Sequence, residues 1–323
     1  MASALASANP PVTRTMYWES AVYPSRIDAD DTEDVVGLIQ RVTHSDKGFK
    51  HEAFAGAFSG VSYEPLWIAG PFADWSANGT DVRFGAAGDR VVIGDPRLVI
   101  HVLDKKTGKR IGSSTLSDRV DYMCFEPETA RTAWISTIDR KGFLVNLDNG
   151  EAKQASRPKW CTVTSRWGCG TPASCAGRGL DVPGQEWGPY HALAEGATVV
   201  VAAQKREGTP IRNIHGIDLK GKKITWSTPV APDPLAADHS SSAADLAAGR
   251  VFATYKLEGM GGEEHLTAFD AATGHRLWDV KLNAEMSVGG VTATASRVYV
   301  RVDMGLAAFD RNNGGMLGKF RVQ

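Results

Sequence analysis

A short motif recurs along the chain and limits the fold more than any other feature of the sequence. Its clearest copy, from Leu266 to Trp278, reads Leu-Thr-Ala-Phe-Asp-Ala-Ala-Thr-Gly-His-Arg-Leu-Trp. Alternating apolar residues before the Asp predict a strand with one buried face. The Asp opens a turn by accepting backbone N–H groups ahead of it, and the Gly closes the turn at a positive φ. Each copy therefore predicts a β-hairpin.

Five further copies align on the position of the Asp. They are Ile100–Ile111 around Asp104, Leu306–Leu317 around Asp310, Phe143–Gly150 around Asp148, His215–Trp226 around Asp218, and Ala55–Trp67, in which Ser59 replaces the Asp and Tyr63 the Gly. Successive positions are separated by 45, 44, 70, 52 and 40 residues, and propeller blades repeat every ~40–50 residues. The long third gap contains an insertion at 157–184, and its removal restores the period.

An apolar strand precedes every hairpin. These strands are Asp34–Leu38, Asp89–Ile93, Arg131–Ile135, Ala197–Val201, Arg250–Ala253 and Arg297–Val300. A further short run precedes them, such as Val288–Thr294, so each unit is predicted to contain four antiparallel strands. Because a closed ring buries both faces of every sheet, we predict an all-β fold. It is a single β-propeller of about six blades over residues 18–323, after a flexible arm at 1–17. A count of seven blades is the alternative, since residues 15–25 could add a strand that closes the ring on the C-terminal blade.

The segment Phe269–Trp278 resembles the Ala-x-Asp-x-x-Thr-Gly-x-x-x-Trp repeat of the quinoprotein-like, or pyrroloquinoline-quinone-like, β-propeller family. The resemblance covers about residues 20–323 and implies that Trp67, Trp226 and Trp278 pack between blades. The family contains quinone-dependent dehydrogenases and non-enzymatic scaffolds. Its enzymes carry adjacent cysteines over the cofactor, and this sequence has no Cys-Cys pair. The chain therefore resembles the scaffold members more closely.

Charge and hydropathy argue against two classes of function. Lys and Arg number 36 against 37 Asp and Glu, whereas a nucleic-acid-binding domain carries a basic excess. No apolar run approaches the ~18 residues of a membrane-spanning helix. Residues 1–12 lack the basic and apolar stretches of a secretory signal. We expect either a cytoplasmic chain or a mature or excised extracytoplasmic domain, in the periplasm or at the cell surface.

An acidic segment before the first apolar strand is the candidate metal site. It contains Asp28, Asp30, Asp31 and Asp34, and calcium is bound by several oxygens from one tight loop. The segment resembles the calcium loops of integrin-like propellers but is shorter and lacks their glycine. The alternative is a solvated acidic turn before Val35. No organic cofactor is expected, and calcium is the candidate ion for this segment.

The four cysteines indicate cross-links around the insertion. Cys161, Cys169 and Cys175 lie within it, and Cys124 lies in the third repeat. Their spacing is wider than the short Cys-x(2–4)-Cys knuckle of structural zinc sites, and an even number in a glycine-rich loop favours disulfides. We expect Cys169–Cys175 within the loop and Cys124–Cys161 joining it to the third blade. Free thiols and zinc are the alternatives, and the sequence does not choose among the three connectivities.

The insertion also carries charge of one sign. Between Ala152 and Leu180 there are five basic residues and no acidic one, with two tryptophans among them. Arg and Trp are typical of interface hot spots, and loops on rigid scaffolds often bind partners. The predicted partner-binding residues are Arg157, Lys159, Trp160, Arg166, Trp167 and Arg178. The alternative is a cross-linked loop whose tryptophans pack on the blade edge.

These features predict a non-enzymatic scaffold. It would bind a protein partner, or form part of a multi-subunit assembly, through its loop faces and the insertion at 157–184. Propellers host many functions, so this step depends partly on analogy of fold. The alternative is an oxidoreductase or ligand binder that uses the central channel with a quinone or a metal.

Overall fold

The computed structural model describes residues 13–18, 22–45, 48–75, 82–161, 180, 192–202, 213–232, 237–238, 243–257, 262–282, 288–302 and 305–320. In these ranges the chain forms 26 strands in six antiparallel sheets. None of these residues forms a helix long and apolar enough to cross a membrane. The sheets confirm the predicted all-β propeller with six blades.

Each blade is one sheet, and the strands follow in chain order. Blade 1 contains β1 (Thr13–Trp18), β2 (Tyr23–Ser25), β3 (Asp34–Ser45), β4 (Gly48–Phe58) and β5 (Pro65–Trp75). Blade 2 contains β6 (Arg83–Ala87), β7 (Arg90–Gly94), β8 (Val99–Asp104) and β9 (Arg110–Thr115). Blade 3 contains β10 (Val120–Phe125), β11 (Thr132–Thr137), β12 (Gly142–Asn146) and β13 (Ala152–Gln154).

The second half of the ring repeats the pattern. Blade 4 contains β14 (Ala192–Glu195), β15 (Thr198–Ala202), β16 (Asn213–Asp218) and β17 (Lys223–Pro229). Blade 5 contains β18 (Ala237–Asp238), β19 (Ala244–Ala247), β20 (Arg250–Leu257), β21 (Glu264–Asp270) and β22 (Arg276–Leu282). Blade 6 contains β23 (Val288–Ala293), β24 (Arg297–Val302), β25 (Gly305–Asp310) and β26 (Met316–Phe320).

The repeated motif forms the turn before the last strand of each blade. In blade 5, Asp270 Oδ1 accepts the backbone N–H of Thr273 at 2.8 Å and its hydroxyl at 2.7 Å, and Gly274 has φ 72°. The degenerate first copy keeps this geometry. Ser59 Oγ accepts two backbone N–H groups in place of the Asp, and Tyr63 stands in the Gly position with φ 62°.

The turns of two copies differ in detail from the sequence alignment. In blade 3 the turn begins at Asn146 rather than Asp148, because Asn146 Oδ1 accepts the N–H of Asp148 at 2.8 Å and Gly150 has φ 76°. In blade 4 the residue with positive φ is Lys222, at 48°, rather than Gly221. In both blades the residue with positive φ lies four positions after the residue that opens the turn.

Tryptophans join neighbouring blades, as the family resemblance implies. Trp67 packs on Gly108 of blade 2, Trp226 on Gly274 of blade 5, and Trp278 on Gly314 of blade 6. A Cβ atom at any of these glycines would lie within 2.8 Å of the indole, so the turn can approach only because it carries glycine. The Trp278 ring N–H also donates to the carbonyl of Arg311 at 3.0 Å.

Arginines reinforce three of the boundaries between blades. These arginines are the first residues of β7, β20 and β24. Each donates a hydrogen bond to a backbone carbonyl in the motif turn of the next blade. The pairs are Arg90 with Leu147 at 2.9 Å, Arg250 with Arg311 at 2.9 Å, and Arg297 with Gly60 at 2.7 Å.

Side-chain packing closes the ring between blades 6 and 1. Trp18, Phe58, Tyr299 and Phe320 form one buried cluster across this boundary. The carboxylate of Glu33 accepts the hydroxyls of Thr294, Ser296 and Tyr299. β1 pairs with β3 of its own sheet, so it adds no strand to the C-terminal blade. Residues 13–17, placed in the arm by the sequence analysis, therefore belong to the first sheet.

Candidate functional site

The antiparallel order of strands gives the ring two different faces. The turns between first and second strands, and between third and fourth, lie on one face; we call it the turn face, with residues 88–89 and 271–274 as examples. The turns between second and third strands, and the links between blades, lie on the other; we call it the connection face, with residues 95–98 and 116–119 as examples. β13 ends and β14 begins at the connection face, so the insertion leaves from this face.

A disulfide fixes the start of the insertion to blade 3. Cys124 on β10 and Cys161 are bonded, with Cα atoms 5.6 Å apart, and both are buried. This is the bond expected between the loop and the third blade. The other expected pair, Cys169 and Cys175, lies outside the described residues.

The boundary between blades 3 and 4 is unlike the other five. Each of those has one apolar cluster that joins two blades. Here the described apolar residues form two clusters. Trp134 of blade 3 packs with Cys161 and Trp160, whereas Val201 of blade 4 packs with its neighbours and Leu180. Residues near both ends of the insertion thus cover the facing surfaces of the two blades.

The predicted partner-binding residues have different environments. Trp160 is half-buried in the cluster with Trp134, which favours the packing alternative for this residue. Arg157 and Lys159 are exposed, and the Arg157 Nε donates to the carbonyl of Cys161 at 2.6 Å. The other three predicted residues lie outside the described part of the chain: Arg166, Trp167 and Arg178.

The acidic segment folds back on blade 1 through its carboxylates. Oxygens of Asp28, Asp30 and Asp34 lie within 4.8 Å of one another, and Asp31 is not part of this group. Asp34 is buried, and its two oxygens accept the backbone N–H groups of Ile27, Asp28 and Gly60.

These bonds limit the oxygens available to a cation. Asp28 accepts the N–H of Asp30 at 3.1 Å, and Asp30 accepts the N–H of Thr32 at 2.8 Å. Calcium takes about six to eight oxygen ligands, so the three carboxylates supply only part of a set. The contacts match the alternative of an acidic turn, and calcium stays a prediction.

A buried polar group on the connection face was not predicted from sequence. The carboxylate of Asp95 is fully buried, and one of its oxygens lies 3.0 Å from Nε2 of His101. Arg97 donates to the same oxygen at 2.8 Å and to the carbonyl of Phe72 in blade 1 at 2.6 Å. The group therefore joins blades 1 and 2.

Burial acts on both titratable members of this group. It disfavours the charged carboxylate, but hydrogen bonds from His101 and Arg97 outweigh it and hold the pKa of Asp95 below its ordinary value. Burial also lowers the pKa of His101, against the opposing effect of Asp95. The histidine is therefore held in its neutral form near pH 7.

A second polar group lies in blade 5 against blade 4. Asp279 accepts the hydroxyl of Tyr255 at 2.8 Å and lies 2.7 Å from Nδ1 of His265. Arg276 donates to Asp279 at 2.9 Å and to the carbonyl of Pro229 in blade 4 at 3.0 Å. Burial, followed by Asp279, raises the pKa of Tyr255. Both oxygens of Asp279 are engaged, so the arrangement is suited to holding two blades together.

Six antiparallel sheets in a ring, with tryptophan–glycine contacts at three of the boundaries, define a β-propeller with quinoprotein-like repeats. A family model described as outer membrane protein assembly factor BamB matches residues 123–319. The chain belongs to this family.

Other comparisons are more distant. No curated protein matches the chain in sequence. The crystal structure of BamB from Moraxella catarrhalis is 14% identical with TM-score 0.27, over 96% of this chain and 78% of that one. The β-propeller domain of Myceliophteria thermophila Cps50 (Swd1) is 11% identical with TM-score 0.34, over 97% of this chain and 89% of that one.

Proposed function

We propose that the chain is a non-enzymatic scaffold that binds an acidic surface of a protein partner, or joins a larger assembly, through the connection face and the insertion at 157–184. One observation carries the proposal. A segment with five basic and no acidic residues is fixed at its start to blade 3 by the Cys124–Cys161 disulfide. Membership of a family described as an assembly factor supports a binding role.

The architecture suits such a role physically. Among the described residues, tryptophans and arginines join neighbouring blades at the turn face at five of the six boundaries. These contacts are already formed in the chain without a partner. A rigid scaffold loses less conformational entropy on association. Arg157 and Lys159 are exposed near the fixed end of the insertion, and such basic groups favour encounter with an acidic partner.

An extracytoplasmic location, in the periplasm or at the cell surface, is part of the proposal. Disulfides persist in oxidising compartments and are rare in the cytosol, and the family description refers to the outer membrane. Fractionation of cells that express the full-length protein tests the location. Recovery in the cytosolic fraction would refute it.

A charge-reversal pull-down tests the binding role. We would replace Lys159, Arg166 and Arg178 by Glu, leaving Arg157 because it donates to the Cys161 carbonyl and Trp160 because it packs on blade 3. The matched control reverses Lys106, Lys109 and Lys220, three exposed lysines in motif turns of the turn face.

The expected outcome is specific loss of the partner. Proteins captured by the unmodified chain should be lost with the insertion variant and retained with the control, while all three melting temperatures agree within about 2 °C. Equal capture by both variants would refute docking through the insertion.

A further inference from the structure

A small apolar groove opens between blades 5 and 6 at the outer edge of the ring. It has a volume of about 90 Å³ and is lined by Leu282 of β22 and by Val302, Ala307 and Phe309 of blade 6. Towards the turn face, Trp278 packs on Gly314 and fills the boundary. Beyond that contact the two blades leave the groove open.

Exposed apolar surface borders the groove. Met316 of β26 lines it and is 55% exposed, and the adjacent Leu317 is 42% exposed. Covering large exposed apolar side chains with a partner removes them from water, and this makes binding more favourable. β26 is the last strand of its sheet and pairs only with β25 among the described strands. Its outer edge therefore offers backbone groups to an added strand.

The polar residues of the groove are basic. Lys281 and Lys319 line it, and none of its lining residues is acidic. Lys281 is about half exposed and pairs with the equally exposed Glu263, and such surface pairs contribute little free energy. Within the described residues, Lys319 is exposed and has no ion-pair partner.

We propose that this groove binds an extended acidic segment of a partner protein. One aliphatic side chain of the segment occupies the groove, its carboxylates lie beside Lys281 and Lys319, and its backbone runs along β26. The size of the groove supports an aliphatic anchor. An apolar cavity of about 150 Å³ accommodates benzene, so the smaller groove fits a side chain such as leucine or valine. This contact is separate from the insertion at the boundary of blades 3 and 4.

A peptide selection on the purified full-length chain tests the proposal. A random peptide library displayed on phage is selected on the chain, and an enriched peptide is labelled with fluorescein for anisotropy titration. The expected consensus has one Leu, Ile or Val with Asp or Glu on both sides. Selection without such a consensus would overturn the proposal.

Variants then locate the binding site. Lys319→Glu and Met316→Asp should each weaken binding of the selected peptide about tenfold, whereas Lys319→Arg and the distant Lys220→Glu should leave it within about twofold. The Lys159, Arg166 and Arg178 charge reversal should have no effect, which separates this site from the proposed insertion interface. Equal binding to Lys319→Glu and Lys319→Arg, both folded by their melting curves, would place the peptide elsewhere and refute the groove.

Discussion

Tyr63 lies against Gly318 across the boundary that closes the ring. A Cβ atom at Gly318 would lie 2.3 Å from the Tyr63 ring. At three other boundaries a tryptophan of one blade packs on the turn glycine of the next, as Trp278 does on Gly314. Here the two partners are exchanged. Gly318 occupies the position of the tryptophan in its repeat, and Tyr63 occupies the position of the turn glycine. The aromatic ring fills the same boundary from the opposite side.

This exchange predicts coupling between the two positions. Tyr63→Gly should lower the free energy of unfolding by about 2 kcal/mol, because loss of a partly buried ring outweighs relief of its positive φ. Gly318→Trp should also destabilise, since its side chain would collide with the Tyr63 ring. In the double variant the indole can pack on the new glycine. We therefore expect the double variant to lose less free energy of unfolding than the two single variants lose together.

Urea denaturation of the four proteins measures the coupling. An interaction free energy of at least about 1 kcal/mol in the favourable direction is expected. Additive effects would show that the two residues do not share one packing site.

Features that depend on residues close together in the sequence were predicted, whereas contacts between residues far apart in the sequence were not. Asp270 and Gly274 are close in sequence, so their turn was predicted, and the spacing even identified Ser59 and Tyr63 as their substitutes. The contact of Tyr63 with Gly318 joins opposite ends of the chain, and no local pattern encodes it. The buried Asp95–His101 pair also lacked a signal, because single polar residues next to apolar strands usually face solvent. For Trp160 the sequence left two alternatives, and its place against the cluster of Cys124, Trp134 and Cys161 favours packing, while its role in partner binding stays a prediction.

The Cys124–Cys161 disulfide predicts a large contribution to stability. The two cysteines are 37 residues apart, and closing a loop of this length restricts the unfolded chain by about 4 kcal/mol in the chain-entropy model. The double variant Cys124→Ser, Cys161→Ser should therefore be less stable by about 2–4 kcal/mol. Urea denaturation under non-reducing conditions measures the difference.

Thiol titration supplies the control for this prediction. The denatured, non-reduced protein should show no more than two free thiols if the bond forms, and none if Cys169 and Cys175 are paired as well. Four free thiols would contradict both disulfides.

Asp34 should matter more to stability than its acidic neighbours. Asp34→Asn puts an amide NH2 against backbone N–H groups of Ile27, Asp28 or Gly60, so we expect a loss of about 2 kcal/mol. Asp31 is exposed and outside the carboxylate group, and Asp31→Asn should change stability by less than about 0.5 kcal/mol. Thermal melts of both variants check the contrast, and equal losses would contradict it.

The same melts test the calcium prediction. If the segment binds calcium, the melting temperature of the unmodified chain should be higher in CaCl2 than in EDTA, because a ligand that binds only the folded state stabilises it. Asp28→Asn and Asp30→Asn should each reduce that difference. Identical melting in CaCl2 and EDTA would refute the prediction.

The buried His101 predicts that stability falls in mild acid. The pKa of His101 is lowered by burial in the folded chain, whereas in the unfolded chain the imidazole titrates near its ordinary value of about 6.5. Between pH 7 and pH 5 the unfolded state therefore binds more protons, and the free energy of unfolding decreases as the pH falls. The lowered pKa of Asp95 acts in the same direction but only at lower pH, around and below about 4.

Removing the imidazole should remove its part of this pH dependence. In His101→Gln the amide can still donate to Asp95, so the variant should fold, but its stability should fall less between pH 7 and pH 5. The difference in slope can reach about 1.4 kcal/mol per pH unit, the value for one proton. His275→Gln, at an exposed turn position, should keep the slope of the unmodified chain. Urea denaturation at pH 5, 6 and 7 gives the three slopes, and an unchanged slope in His101→Gln would show that the imidazole is not the group responsible.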